Sequence, residues 1–297
     1  MFVDAIELVA KFTRPIYFIS RNYRSEIVQP GAATLFFVND EGWALTCAHV
    51  ANDLMMEGKI EQRYNDFKKE LASLRGTDKE NKIIKQLETK YKLTSRETFE
   101  LCAMFINCAE GVPTFDIKVH SKYDLALIKF NNYKRLLCDT FPVFPTDTSS
   151  LKQGMMLCRL GYPFPEFTNY SYDKTTDKIG WTTSGNANTP QFPIDGMVTR
   201  HLIDVNDANK RFYGIEISTP GLKGQSGGPA FDSTGKVWGM QFATNHLDLD
   251  FDINQEVRRN GIKKRIEDHA FLHVGYCIHI DVIKEFLLAN QIKFNQN

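Results

Sequence analysis

The chain has 297 residues, 36 of them basic and 36 acidic, and 42% are hydrophobic, enough for one large or two small domains with a sizeable core. A charged content of 24% with 19 Gly and 11 Pro excludes disordered, collagen-like and low-complexity classes. Zero net charge removes the usual electrostatic reason to expect nucleic acid or an anionic membrane as a partner.

The amino terminus carries Asp4 and Glu7 where a secretory leader would carry Lys or Arg, and no apolar h-region follows. No stretch approaches the roughly 20 apolar residues needed to cross a bilayer. Cys47, Cys102, Cys108, Cys138, Cys158 and Cys277 lie far apart with no Cys-x-x-Cys pair. They read as free thiols in a reducing compartment, so a soluble, cytoplasmic protein is expected.

In chain order, Ala33 to Val38 is apolar and aromatic, Asn39 to Gly42 supplies turn chemistry, and Trp43 to Thr46 returns, which predicts a hairpin. From about Asp53 to Cys108 the pattern changes. Ile60, Tyr64, Phe67, Leu71 and Leu74 recur at helical spacing, Gly76 punctuates, and Thr77 with Glu80 and Thr94 with Glu97 fit the capping box that opens a new helix. Short β-runs follow at Asp116 to His120, Leu125 to Phe130, Met155 to Leu160, Ile194 to Val205, Phe212 to Ser218, Val237 to Ala243 and Val274 to Ile280, and Asp281 to Ile292 reads as a closing helix. Frequent strands without βαβ alternation predict an all-β framework of barrels or a sandwich that carries a helical insertion. The polar, Pro-containing stretch Phe141 to Gln153 reads as a linker, dividing the chain into residues 1–140, with the insertion at about 53–108, and residues 141–297.

Three blocks place a reactive side chain beside small residues at a strand end or turn: Leu45-Thr-Cys-Ala-His49, Asp124-Leu-Ala-Leu-Ile, and Lys223-Gly-Gln-Ser226-Gly-Gly-Pro229. Alone, His49 reads as a satisfied core histidine and Asp124 as a turn residue. Glycines on both sides of Ser226 are more specific, because they cost entropy unless the backbone needs positive φ or a close approach. Together the blocks supply a nucleophile, Ser226, a base, His49, and a group that orients the base, Asp124. The amides of Gly224 and Ser226 would receive the oxyanion, each such donor being worth about 3 to 4 kcal/mol of barrier.

The order His, Asp, Ser, with Thr-x-Ala-His, Asp-Leu-Ala-Leu and Gly-x-Ser-Gly-Gly-Pro, resembles the chymotrypsin-like (trypsin-like) serine peptidases. Gly31 to Val38, Leu160-Gly-Tyr-Pro163, Asp195-Gly-Met-Val-Thr199 and Tyr276 to Ile280 resemble the bacterial Deg/HtrA-type branch, here without room for a PDZ module. The matches run from about residue 14 to 292. The resemblance implies two β-barrels of the six-stranded type with the triad between them, and an extended substrate pairing with Phe242-Ala243-Thr244. It also implies that the floor of the primary pocket is Pro220, which offers no acidic group for Arg or Lys. With Phe242 and Ala243 on a wall, small or medium apolar side chains are expected there, subject to the loops from Asn169 to Pro193. The His49-to-Asp124 spacing, 75 residues (124 minus 49), is long for the family, and the helical segment accounts for the excess.

Gln225 stands where secreted relatives carry the Asp that pairs with a newly cut amino terminus, so activation of that kind is not expected. Lys223 and Glu216 read as plain surface charges beside the site. The expected function is a serine endopeptidase acting on protein or peptide substrates through an acyl-enzyme. The alternatives are a catalytically silent binding or scaffold protein on the same fold, and a peptidase held inactive until a protein partner docks on the helical segment or on Thr244 to Val274. No cofactor is expected, since His-Glu-x-x-His and phosphate-loop patterns are absent. Asp248, Asp250 and Asp252 alternate but lack the Gly and Glu of a calcium loop, so no metal is expected either.

Overall fold

The computed structural model describes residues 1–73, 80–259 and 261–297. Helix α1 (Val3–Ala10) buries Ala5 and Val9 and leads into β1 (Thr13–Asn22), where Ile16 and Ile19 are fully buried. β2 (Val28–Phe37) pairs antiparallel with β1, and its run Ala33 to Phe37 is buried without alternation. A strand buried on both faces must be covered twice. One apolar core accordingly joins Leu35, Phe36, Leu45 and Leu127 of the amino-terminal half to Phe231, Val237, Met240, Ile278 and Ile283 of the carboxy-terminal half.

The expected hairpin is present. Asn39 Oδ1 accepts the Glu41 amide in the turn, and β3 (Trp43–Thr46) returns against β2. Helix α2 (Ala48–Ser73) then begins, earlier than the sequence periodicity indicates, so His49 lies in its first turn. α3 (Glu80–Lys90) follows. Tyr64 and Phe67 of α2 pack with Leu87 of α3 and with Tyr23 and Phe99 in one aromatic cluster, and Leu71 lies against it. Leu74, Gly76 and Thr77 lie outside the described residues.

The reading of 53–108 as helical is corrected at its end. Thr94 and Glu97 do not start a helix: the Glu97 amide bonds the Thr94 carbonyl in a turn that feeds β4 (Thr98–Phe105). β4 pairs antiparallel along β1 from Ile16 to Asn22. A free β1 edge offered a full row of unpaired amides and carbonyls, and satisfying it outweighs a local capping signal.

β5 (Ala109–Val119) and β6 (Ala126–Leu136) complete a six-stranded sheet of order β4-β1-β2-β3-β6-β5. This sheet is open rather than a closed barrel. At the corner between β4 and β5 the Arg14 guanidinium takes the place of strand pairing, donating to the carbonyls of Asn107 (2.7 Å), Leu137 (2.5 Å) and Ala10 (3.0 Å). Phe105 closes the gap by edge-to-face packing on Phe115 and Phe130.

The stretch read as a linker is docked, with β7 (Val143–Phe144) in it and Leu151 buried in a second core. β8 (Met156–Gly161) precedes the hairpin of β9 (Tyr170–Asp173) and β10 (Lys178–Trp181). Then come β11 (Phe192–Ile203), β12 (Phe212–Ile217), β13 (Pro229–Phe231), β14 (Val237–Arg259) and β15 (Ile262–His279). With β8 these last five close a barrel of order β11-β12-β15-β14-β13-β8. β14 and β15 run on past the barrel as a long antiparallel hairpin, paired from Thr244 with Gly275 to Arg259 with Ile262, with the register broken between Asp248 and Asp252. Helix α4 (Ile280–Ala289) follows, and β16 (Asn295–Gln296) pairs parallel with β7. All six cysteines are free thiols. Among the described residues no helix is long and apolar enough to cross a membrane.

Candidate active site

His49 is positioned by a helix start. The first amides of a helix lack intrahelical partners and favour a carboxylate. Asp124 supplies it from across the sheet, its Oδ1 accepting the His49 amide at 2.9 Å and its Oδ2 meeting His49 Nδ1 at 2.7 Å. The turn that presents Asp124 is itself held by His120, whose Nδ1 accepts the Lys122 and Tyr123 amides at 3.0 Å each. Burial depresses the His120 pKa, which suits a neutral acceptor. His120 carried no signal in the sequence.

The Asp124 bond raises the His49 pKa above its ordinary value, against the opposing pull of burial. Burial alone would raise the Asp124 carboxyl, but the His49 ring and the His49 and Ala48 amides outweigh it and hold the group below its usual range. Cys47 completes a close cluster with His49 and Asp124, all ligand atoms lying within 4.8 Å. Its buried thiol is pushed well above its ordinary range and donates to the Gln241 carbonyl, so it stays protonated and a poor metal ligand.

Ser226 sits in a turn that only glycine permits. Gly224 has φ +102°, and a Cβ there would stand 2.5 Å from the Tyr162 carbonyl oxygen. Gly227 has φ +88°, and its Cβ would collide with the Thr34 carbonyl oxygen and lie 2.5 Å from Thr46 Oγ1. Gln225 is fully buried, its Oε1 accepting the Leu222 amide and its Nε2 donating to the Phe192 carbonyl. A neutral amide thus pins the turn. The amides of Gln225, Gly227 and Gly228 donate to the carbonyls of Leu222, Gln241 and Gln225. Those of Gly224 and Ser226 donate to none of the described residues.

Thr34, a buried threonine of β2, clamps this turn from the other half of the molecule. Its amide donates to the Ser226 carbonyl at 2.9 Å, its hydroxyl to the Gly224 carbonyl at 2.7 Å, and its own carbonyl accepts Thr46 Oγ1 at 2.8 Å. The partners lie some 190 residues apart in the chain, so no local pattern announces them.

His49, Ser226, Gly224 and Lys223 line one cavity of about 360 Å³, walled by Gly31 to Ala33 and Asp53. Among the described residues Ser226 Oγ makes no hydrogen bond to His49. Lys223 is exposed as expected, but Glu216 is not a surface charge: it is buried, accepting Arg200 at 2.5 Å and Thr199 Oγ1 at 2.7 Å. A carboxylate in a barrel wall needs such partners. Pro220, Phe242, Ala243 and Thr244, the residues expected at the primary pocket, do not line this cavity. Thr244 Oγ1 donates to the Gly221 carbonyl, Gln241 Nε2 to the Ala243 carbonyl, and the Pro220 carbonyl accepts Arg159, while the Phe242 ring packs at a tilt on Tyr276.

An imidazole oriented by a carboxylate, opening on a cavity shared with an alcohol and uncommitted amides, is suited to nucleophilic attack on an acyl group. The sequence matches the trypsin-like peptidase domain over residues 33–240, and the chain belongs to that family. A comparison with curated proteins found no match.

Proposed function

We propose that the protein is a serine endopeptidase working through a Ser226, His49, Asp124 triad. The observation that carries the reading is the 2.7 Å bond from Asp124 to His49 Nδ1, which leaves Nε2 for the serine that lines the same cavity. Ser226 Oγ attacks the peptide carbonyl as His49 takes its proton. The Gly224 and Ser226 amides receive the oxyanion, and His49 then protonates the departing amine. Water releases the acyl-enzyme by the same steps reversed. The Deg/HtrA-type likeness, a substrate strand laid along Phe242 to Thr244 and a cytoplasmic location belong to this proposal. So does a two-unit reading in which the open sheet counts as the first barrel and the helices as its insertion.

The test is labelling with a fluorophosphonate, which reacts only with an activated serine. The wild type should label and Ser226→Ala should not; equal labelling of both would end the proposal. A form of this reading in which a protein partner switches the enzyme on is motivated by the buried neutral Gln225, which offers no carboxylate for activation by a cut amino terminus. The absent bond between Ser226 Oγ and His49 fits either form, since such bonds tighten when substrate binds. Full-rate cleavage of unstructured casein by the purified protein would rule the partner out.

A further inference from the structure

Arg159, on β8, is the largest fully buried side chain of the molecule and lies inside the closed barrel. Among the described residues no carboxylate lies within 4.0 Å of it, whereas the other buried arginine, Arg21, is paired with Glu100 at 2.6 Å. All the partners of Arg159 are neutral. Nη2 donates to the Thr219 carbonyl (3.0 Å), Thr219 Oγ1 (2.5 Å) and the Pro220 carbonyl (3.1 Å), Nη1 donates to Gln241 Oε1 (2.7 Å), and Nε has no partner among the described residues. The nearby thiols of Cys158 and Cys277 are both pushed up to about 12 and cannot serve as counter-ions, and Asp195, the one carboxylate whose charge reaches Arg159, is exposed and forms no ion pair with it. A buried guanidinium without a counter-ion is costly, and hydrophobic residues of similar volume would commonly serve packing better.

Its position gives the charge a use. Pro220, expected as the pocket floor, and its neighbour Thr219 both accept from Nη2, and Gln241, which covers Nη1, reaches on to the carbonyl of Ala243, an expected wall residue. At Gly275 any Cβ would collide with Nη1, so the chain keeps this spot clear for the guanidinium. Thr219, Pro220, Gly221, Ala243 and Thr244 are all only half-buried, one layer from solvent.

We propose that the primary pocket is acid-selective: the side chain preceding the cleaved bond is a carboxylate, Asp or Glu, which takes the place on Arg159 Nη1 held by the Gln241 carboxamide oxygen. This rests on the peptidase reading and replaces the apolar preference inferred from Pro220. Exchanging a neutral acceptor for an anionic one converts an ordinary hydrogen bond into a charge-assisted one and neutralises the buried cation.

The experiment measures kcat/KM on fluorogenic peptides that differ only before the scissile bond, carrying Glu, Asp, Gln, Leu or Ala, with fluorophosphonate labelling run in parallel. Glu and Gln have the same shape, so their ratio reads charge alone. An acidic peptide is expected to exceed the Gln peptide by on the order of 100-fold, the worth of the charge-assisted bond. Arg159→Met should bring that ratio to about 1. Where this variant fails to fold, the wild-type ratio decides. A labelled enzyme that prefers Gln, Leu or Ala overturns the acid-selective pocket alone. A wild type that neither labels nor cleaves overturns the peptidase reading and the pocket with it.

Discussion

The two halves of the molecule hold their share of the site by different means. In the open sheet, His49 and Asp124 are fixed by hydrogen bonds between side chains and helix-start amides. In the closed barrel, Ser226 is fixed by backbone geometry, with Gly224 and Gly227 at positive φ and no room for a methyl group. Substitutions on the sheet side should therefore act in graded electrostatic steps, and those in the barrel turn should act sterically and all at once.

The largest effect is expected from Gly227→Ala, which drives a methyl into the Thr34 carbonyl at a position that disfavours L-residues. It should abolish fluorophosphonate labelling and cost several kcal/mol, roughly 3 or more, measured by chemical denaturation. Retained labelling with unchanged stability would break the contrast. Asp124→Asn should keep the fold while lowering kcat by roughly 10⁴, the size seen for the equivalent change in a serine protease.

The pH dependence sharpens the same point. His49 must be neutral to act as a base, and its Asp124 bond raises its pKa, so kcat/KM should climb with pH through a midpoint above the ordinary histidine value of about 6.5. A midpoint at or below that value would show that the pair does not act on the free enzyme.

Thr34→Val tests the contact between the halves. It leaves the Gly224 carbonyl buried without its donor, at a cost of about 1–3 kcal/mol in stability, and should lower kcat about tenfold, whereas Thr34→Ser should restore both. The smallest effect concerns His279, which caps α4 by accepting the Asp281 amide. Burial first, then His201 and Lys284, lower its pKa against the pull of Asp281. The unfolded chain takes up a proton as pH falls through about 6.5 while the folded chain resists, so this contribution to stability is complete above that value and declines below it. Denaturation at pH 7 and pH 5 should show a loss of roughly 1 kcal/mol, and His279→Asn, which keeps a capping acceptor, should flatten it.

The legible parts of the site were those with a local chemical cost. Glycines around Ser226 show in the sequence because each pays entropy at its own position, and the hairpin and the aromatic face of α2 show because turn chemistry and helical spacing are short-range. Arg159, Thr34 and His120 were silent. A lone Arg in an apolar strand, a Thr in a buried run and a His before a turn have nothing unusual about their neighbours; their roles arise from chain segments that meet only in the folded state. The Thr94–Glu97 box misled for the same reason, since the free β1 edge that claimed the segment lies some 80 residues earlier, as the 79-residue separation of Arg21 and Glu100 reflects.

The clamp made by Thr34 also bears on how the protein is born. Thr34, His49 and Asp124 leave the ribosome before Gly224 to Ser226, Asp124 and Gly224 being 100 residues apart (224 minus 124). On the proposed peptidase reading, the alcohol and the amides that would receive an oxyanion come together only when this late turn docks onto the early strand. A nascent chain would thereby stay chemically harmless to itself and to its neighbours on the polysome until the Ser226 turn has emerged and docked.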